Sequence, residues 1–158
     1  MKLTRNKQEM NIQGDGWKFR LRVEASGRGD GEEVALIVDL AQNGMGHTSR
    51  LTGKRGAVAG LLVQLGNGLA GVGEKRAGVH RQWDARVQGV FGVVSLSVAA
   101  YAGGLAEVEW LVAPRPAEPW KGENGSCMVG MKVEGVEAQE LVALLVEGMA
   151  GVMMEVSK

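Results

Sequence analysis

The chain has one cysteine, three prolines and two histidines in 158 residues, and aromatic side chains make up only 4%. Each shortage excludes something. A single thiol, Cys127, cannot build an internal disulfide framework, which removes the small stapled extracellular domain as a reading. His47, His80 and Cys127, with no carboxylates at ligand spacing, resemble no zinc or iron site, so neither a metal nor another cofactor is expected. Ser95 and Ser97 sit mid-strand rather than on a nucleophile turn, and Glu107 and Glu109 alternate as solvated strand residues do, so no catalytic constellation emerges and a non-enzymatic role is expected. The opening stretch MKLTRNKQEM lacks the apolar core of a secretory signal, and a cytoplasmic location is expected. Two runs carry no charge, residues 56–73 and 87–106. The first is broken by Gln64, Asn67 and several glycines, the second by Gln88, Ser95, Ser97 and Gly103-Gly104; neither reads as a membrane span, and no membrane partner is expected.

What is abundant is glycine, 25 of 158, more than twice the usual share of roughly 7%. The glycines follow no collagen-like period and are scattered among Val, Ala and Leu, which points to tight turns and close backbone approaches. Apolar residues at 45% and charged residues at 23% argue against disorder, and the length suits one domain over 1–158. The formal net charge of zero conceals a gradient. Residues 1–44 balance seven basic against seven acidic groups; residues 45–104 carry seven against two, and 105–158 four against nine. Such asymmetry fits a basic binding face with an acidic one elsewhere, or two regions that attract each other within the fold or across subunits.

Residues 1–16 are polar and end in Gly14-Asp15-Gly16, which reads as a flexible arm and a turn. Trp17–Ala25 alternates strictly, with Trp17, Phe19, Leu21 and Val23 opposite Lys18, Arg20, Arg22 and Glu24: a half-buried strand. After a turn at 26–31, residues 32–41 form a second strand and complete a hairpin. Residues 42–53 read as a loop. A helix from near Thr52 to Gly73 follows, with Val58, Leu61, Leu62, Leu65, Leu69 and Val72 on one face and Gly56, Gly60 and Gly71 on another, and with a break expected near Gly66-Asn67-Gly68. The glycine side predicts a close neighbour, so Gly60→Leu is expected to disturb packing or assembly. Residues 74–80 read as a connector, 82–102 as strand, Gly103-Gly104 as a hairpin turn and 105–113 as the return strand. A Pro/Gly-rich loop at 114–126, a strand at 127–134 and a helix at 136–154 complete the chain. The expectation is an α+β fold in β-β-α-β-β-β-α order, one antiparallel sheet of about five strands with two helices packed on one face. No internal repeat is legible in the residues themselves; strands followed by a helix in each half give only a weak hint of one.

The stretch GMGHTSRLTGKRG has letters of a phosphate loop, but Lys54 is followed by Arg55 rather than Ser or Thr and the glycine spacing is wrong. What remains is a basic loop feeding a helix N-terminus, a geometry that suits anions and equally a solvated loop. Lys18, Arg20 and Arg22 at spacing two could track a phosphate backbone, or could be the wet side of a hairpin paired with Glu32, Glu33 or Asp39. Arg81 and Arg86 flank Trp83, a candidate for stacking on a base, and Trp120 beside Lys121 is another. Arg28-Gly29-Asp30 reads as a glycine turn.

The function these residues point to is binding of nucleic acid, single-stranded DNA or RNA, by a homo-oligomer. The expected contacts are Lys18, Arg20, Arg22, Lys54, Arg55, Lys75, Arg76, Arg81, Trp83 and Arg86. The alternative is a self-assembling structural or adaptor subunit whose basic and acidic surfaces meet between copies.

Overall fold

The computed structural model describes residues 1–25, 32–89, 92–114, 121–122 and 127–158. The turn at 26–31 with Arg28-Gly29-Asp30, and most of the proline loop with Trp120, lie outside the described residues. Among the described residues, eleven strands and two helices run in the order β1 (Lys2–Asn6), β2 (Glu9–Gly14), β3 (Trp17–Ala25), β4 (Glu33–Gln42), β5 (Met45–Lys54), α1 (Arg55–Leu69), β6 (Glu74–Arg76), β7 (Val79–Gly89), β8 (Gly92–Tyr101), β9 (Leu105–Pro114), β10 (Lys121–Gly122), β11 (Cys127–Glu134) and α2 (Ala138–Val156). The α+β class is as the sequence implies. The strands, however, make two antiparallel sheets rather than one, ordered β1-β2-β3-β4-β5-β10 and β11-β9-β8-β7-β6. Each half of the chain is thus an antiparallel meander followed by a helix, and the hint of repetition in the sequence appears as a repeated topology.

The halves exchange their helices. The helix that follows the first sheet, α1, packs chiefly on β7 of the second sheet and on α2, while α2 packs on β1 and β2 of the first sheet. The helices run antiparallel, and at one end the Arg55 guanidinium of α1 reaches the Val156 carbonyl closing α2 (3.5 Å). Two glycines permit this closeness. A Cβ on Gly68 of α1 would stand 3.0 Å from Cα of Ala85 on β7, and one on Gly148 of α2 would stand 2.7 Å from the Met10 sulfur on β2. Phe19, Leu21, Leu36, Leu61, Leu62, Leu65, Leu69, Leu96 and Trp110 are fully buried between the sheets and the helix pair. Each such side chain contributes about 1.5–3 kcal/mol of burial free energy.

Several local expectations change for identifiable reasons. Residues 1–16 are not a flexible arm: β1 and β2 pair from Lys2–Gln13 to Asn6–Glu9, and Met10 and Ile12 are completely buried beneath α2. Most of the segment 42–53 belongs to β5, with Thr48, Arg50 and Thr52 at its outward positions and His47, Ser49 and Leu51 at its inward ones. The connector at 74–80 holds β6 and the start of β7, and the strand expected over 82–102 is the β7–β8 hairpin. Helix α1 runs unbroken through Gly66-Asn67-Gly68, held there by packing on β7, and ends at Leu69. Gly103 and Gly104 both take positive φ (+81° and +75°), as anticipated, but Tyr101 pairs with Leu105, so the connection is the three-residue loop Ala102-Gly103-Gly104 rather than a two-residue turn.

Candidate nucleic-acid interface

Strand register sorts the side chains of the first sheet onto two faces. The inward face carries Met10, Ile12, Trp17, Phe19, Leu21, Val23 and their partners. The outward face carries Lys2, Lys18, Arg20, Arg22, Arg50 and Lys54 among the cations and Glu9, Glu24, Glu33 and Asp39 among the carboxylates. The topologically equivalent face of the second sheet has the opposite bias, with Arg86 and Lys132 outweighed by Asp84, Glu107, Glu109 and Glu134. The outward faces of the two sheets thus differ in charge balance, although the basic segment 45–104 is divided between the sheets, with Arg50 and Lys54 on the first and Lys75, Arg76, Arg81 and Arg86 on the second.

The expected cations differ in how they are held. Arg20 forms a two-pronged pair with Glu9 of β2, Nε to Oε1 at 2.9 Å and Nη2 to Oε2 at 3.0 Å. That pairing lowers the Glu9 pKa below 4.5, through the Arg20 hydrogen bond ahead of opposing desolvation, and raises the Arg20 pKa. The partner is not Asp39, which accepts from the Thr48 hydroxyl at 2.5 Å, nor Glu33. Arg22 and Arg50 both approach Glu24, at 3.6 and 3.3 Å. Lys18 and Lys54 make no ion pair among the described residues, and Lys54 stands at the entrance to α1, whose first turn has no acidic residue. Arg55 is tied into the fold, its backbone N–H on the Glu32 carbonyl (2.8 Å) and its side chain on Val156.

The remaining expected contacts belong to the second sheet and do not converge with these. Lys75 and Arg76 lie on edge strand β6, with Arg76 3.8 Å from Asp84. Arg86 is exposed on the outward face of β7. Arg81 and Trp83 point the other way: the indole is 7% exposed, packed against Gly73, and Arg81 lies over its ring at 5.3 Å while Nε donates to the Gly73 carbonyl. Trp83 is a core residue, and Trp17 and Trp110 are buried as well, so base stacking on an exposed tryptophan has no candidate among the described residues.

A further feature of the first sheet escaped sequence reasoning. Asn11 Oδ1, Arg22 Nε, Glu33 Oε1 and Thr52 Oγ1 are buried side-chain polar atoms without a hydrogen-bond partner, and register puts all four residues on this one outward face. Buried polar atoms nearly always find partners, because an unmade hydrogen bond costs about 1–3 kcal/mol. Among the described residues no group of three His, Cys, Asp or Glu side chains could hold a metal ion, and no helix is long and apolar enough to cross a membrane. Comparison of the chain with protein-family models, curated proteins and solved structures returns no match.

Proposed function

We propose that the chain binds single-stranded nucleic acid, without catalysis, on the outward face of the first sheet. The observation that carries this reading is the set of cations Lys18, Arg20, Arg22, Arg50 and Lys54 gathered on one outward sheet face. Alternate residues on a strand repeat every 6–7 Å or so, so a row of long cations can follow an extended phosphate backbone and release its counterions. The amino and guanidinium ends of these cations supply donors to phosphate and sugar oxygens. The salt-bridge network with Glu9 and Glu24 keeps Arg20 and Arg22 against the sheet rather than waving in solvent. Specificity for sequence does not follow, since backbone contacts position a strand without reading it.

Binding of labelled oligonucleotides at low and raised salt tests the proposal. Affinity should fall steeply with salt, and reversing Lys18, Arg20 and Arg22 to Glu should abolish it. Absence of binding at low salt, or binding indifferent to that reversal, overturns the reading.

Self-association accompanies this reading in our proposal and has its own support. Helix α1 has no charged side chain after Arg55, its exposed side presents Gly56, Val63, Gln64 and Asn67, and a Cβ added at Gly56, Gly60 or Gly66 would meet nothing within 4 Å inside the chain. An assembly without nucleic-acid affinity, detected by light scattering, would instead favour a structural subunit.

A further inference from the structure

We propose that the cleft between the C-terminal end of α1, the first half of α2 and β7 binds a monocarboxylate with an apolar body. The cleft has a volume of about 480 Å³, within the range of roughly 300–1,000 Å³ typical of small-molecule sites. Leu69, Val72, Val142 and Val146 form its apolar walls, and the buried Trp83 lines it with Arg81. It lies on the second sheet, away from the surface assigned to nucleic acid, and stands or falls independently of that assignment.

Arg81 gives the cleft its chemistry. Its Nε–H is committed to the Gly73 carbonyl (3.1 Å), and its guanidinium is stacked 5.3 Å from the centre of the Trp83 ring. The anchor is itself fixed, because Gly73 packs so closely on Trp83 that a Cβ there would stand 2.8 Å from the indole. Arg81 forms no ion pair among the described residues, so its two terminal amino groups keep their donors. A planar fork held in one orientation matches the two oxygens of a carboxylate. Phosphate is a poorer match: among the described residues Arg81 is the only cation lining the cleft, and Glu147 on the same wall repels a second negative charge. The apolar walls then take the alkyl or aryl body, while Gln139 adds an amide at the lining. The stacked guanidinium also loses little conformational freedom on binding, since its orientation is set beforehand.

The test is a titration of the full chain with decanoate and, separately, with decanol, followed by amide and indole N–H shifts. Decanoate should produce saturable shifts centred on Trp83, Gly71 and Val72, with affinity roughly ten- to a hundredfold above the alcohol, as a desolvated charge-assisted hydrogen bond implies. Arg81→Met should erase that preference. Ala143→Trp, a substitution at an exposed cleft residue that leaves Arg81 intact, should block both ligands. Equal affinity for acid and alcohol, shifts centred elsewhere, or no saturable shift at millimolar decanoate overturns the proposal. The acid-to-alcohol ratio is read on the native chain, so it decides the matter even where Arg81→Met fails to fold.

Discussion

The indole N–H of Trp110 on β9 donates to the hydroxyl of Ser49 on β5 at 2.7 Å, across the junction of the two sheets. Both residues are buried, at 1% and 5% exposure, so neither group has water as a substitute partner. The Gln42 side-chain amide makes a second bridge between the sheets, donating to the Lys132 carbonyl. Ser49→Ala should therefore cost about 1–3 kcal/mol, the penalty for leaving a buried donor unpaired. Urea unfolding monitored by tryptophan fluorescence measures it. In a Trp110→Phe background, which has no N–H to strand, the same serine change should cost much less; an equal cost in both backgrounds would falsify the bridge as the source.

Glycines on α1 divide into two kinds, and substitution should separate them. Gly60 faces open space within the chain, so Gly60→Ala should stabilise by up to about 1 kcal/mol through helix propensity. Gly60→Leu should likewise leave the monomer fold intact and act only on association, so that of the two effects expected from the sequence, on packing or on assembly, only the second remains. Gly68 abuts the backbone of β7, and Gly68→Leu should destabilise by about 1–3 kcal/mol through overpacking. Denaturant midpoints together with light scattering distinguish these outcomes. A large loss of monomer stability from Gly60→Leu would contradict the assignment.

Which parts of this architecture are legible in the sequence follows from where the information resides. Strand β3 announces itself because its inner side is wholly apolar and its outer side wholly charged. Strand β5 hides because Ser49 and His47 occupy inward positions where an apolar residue would have signalled a strand, and Ser49 is polar in order to meet Trp110. Gly68 and Gly148 carry no signal of their own: only the exchange of helices between halves reveals what each approaches. The Arg20 partner is hidden for the same reason as β2, since Glu9 lies in a segment whose polar letters read as an arm. Trp83 resembles a stacking platform from its two flanking arginines, yet alternation puts Arg86 on the opposite face and closes Gly73 over the indole.

The Glu9–Arg20 pair makes a pH prediction whose sign is fixed. The folded-state pKa of Glu9 is depressed below 4.5, so its stabilising contribution is present above the unfolded value and is lost as pH falls through the folded one. The difference in stability between the native chain and Glu9→Gln should accordingly be present at pH 7 and vanish below the folded-state pKa. Arg20 stays charged throughout, its own pKa being raised further by the Glu9 hydrogen bond, and adds no pH dependence in this window. Partial exposure of both side chains keeps the effect small through solvent screening. Unfolding curves for the two proteins at several pH values test it, and a difference that grows on acidification would rule out the pair as its origin.

The two sheets offer an internal control for nucleic-acid binding. For a single strand, each phosphate contact adds about 0.7 to the magnitude of the slope of log affinity against log salt. Replacing Lys18, Arg22 and Lys54 with alanine should therefore weaken oligonucleotide binding and flatten that slope by about 2. Replacing Arg76, Arg86 and Lys132 removes the same charge from the second sheet, where Asp84, Glu107, Glu109 and Glu134 dominate the outward face. This second set should leave the slope nearly unchanged, because removing charge from a surface that makes no phosphate contacts releases no additional counterions. Equal flattening by both sets would mean that nucleic acid senses only the overall charge of the chain, and the first sheet would lose its claim to be the binding face.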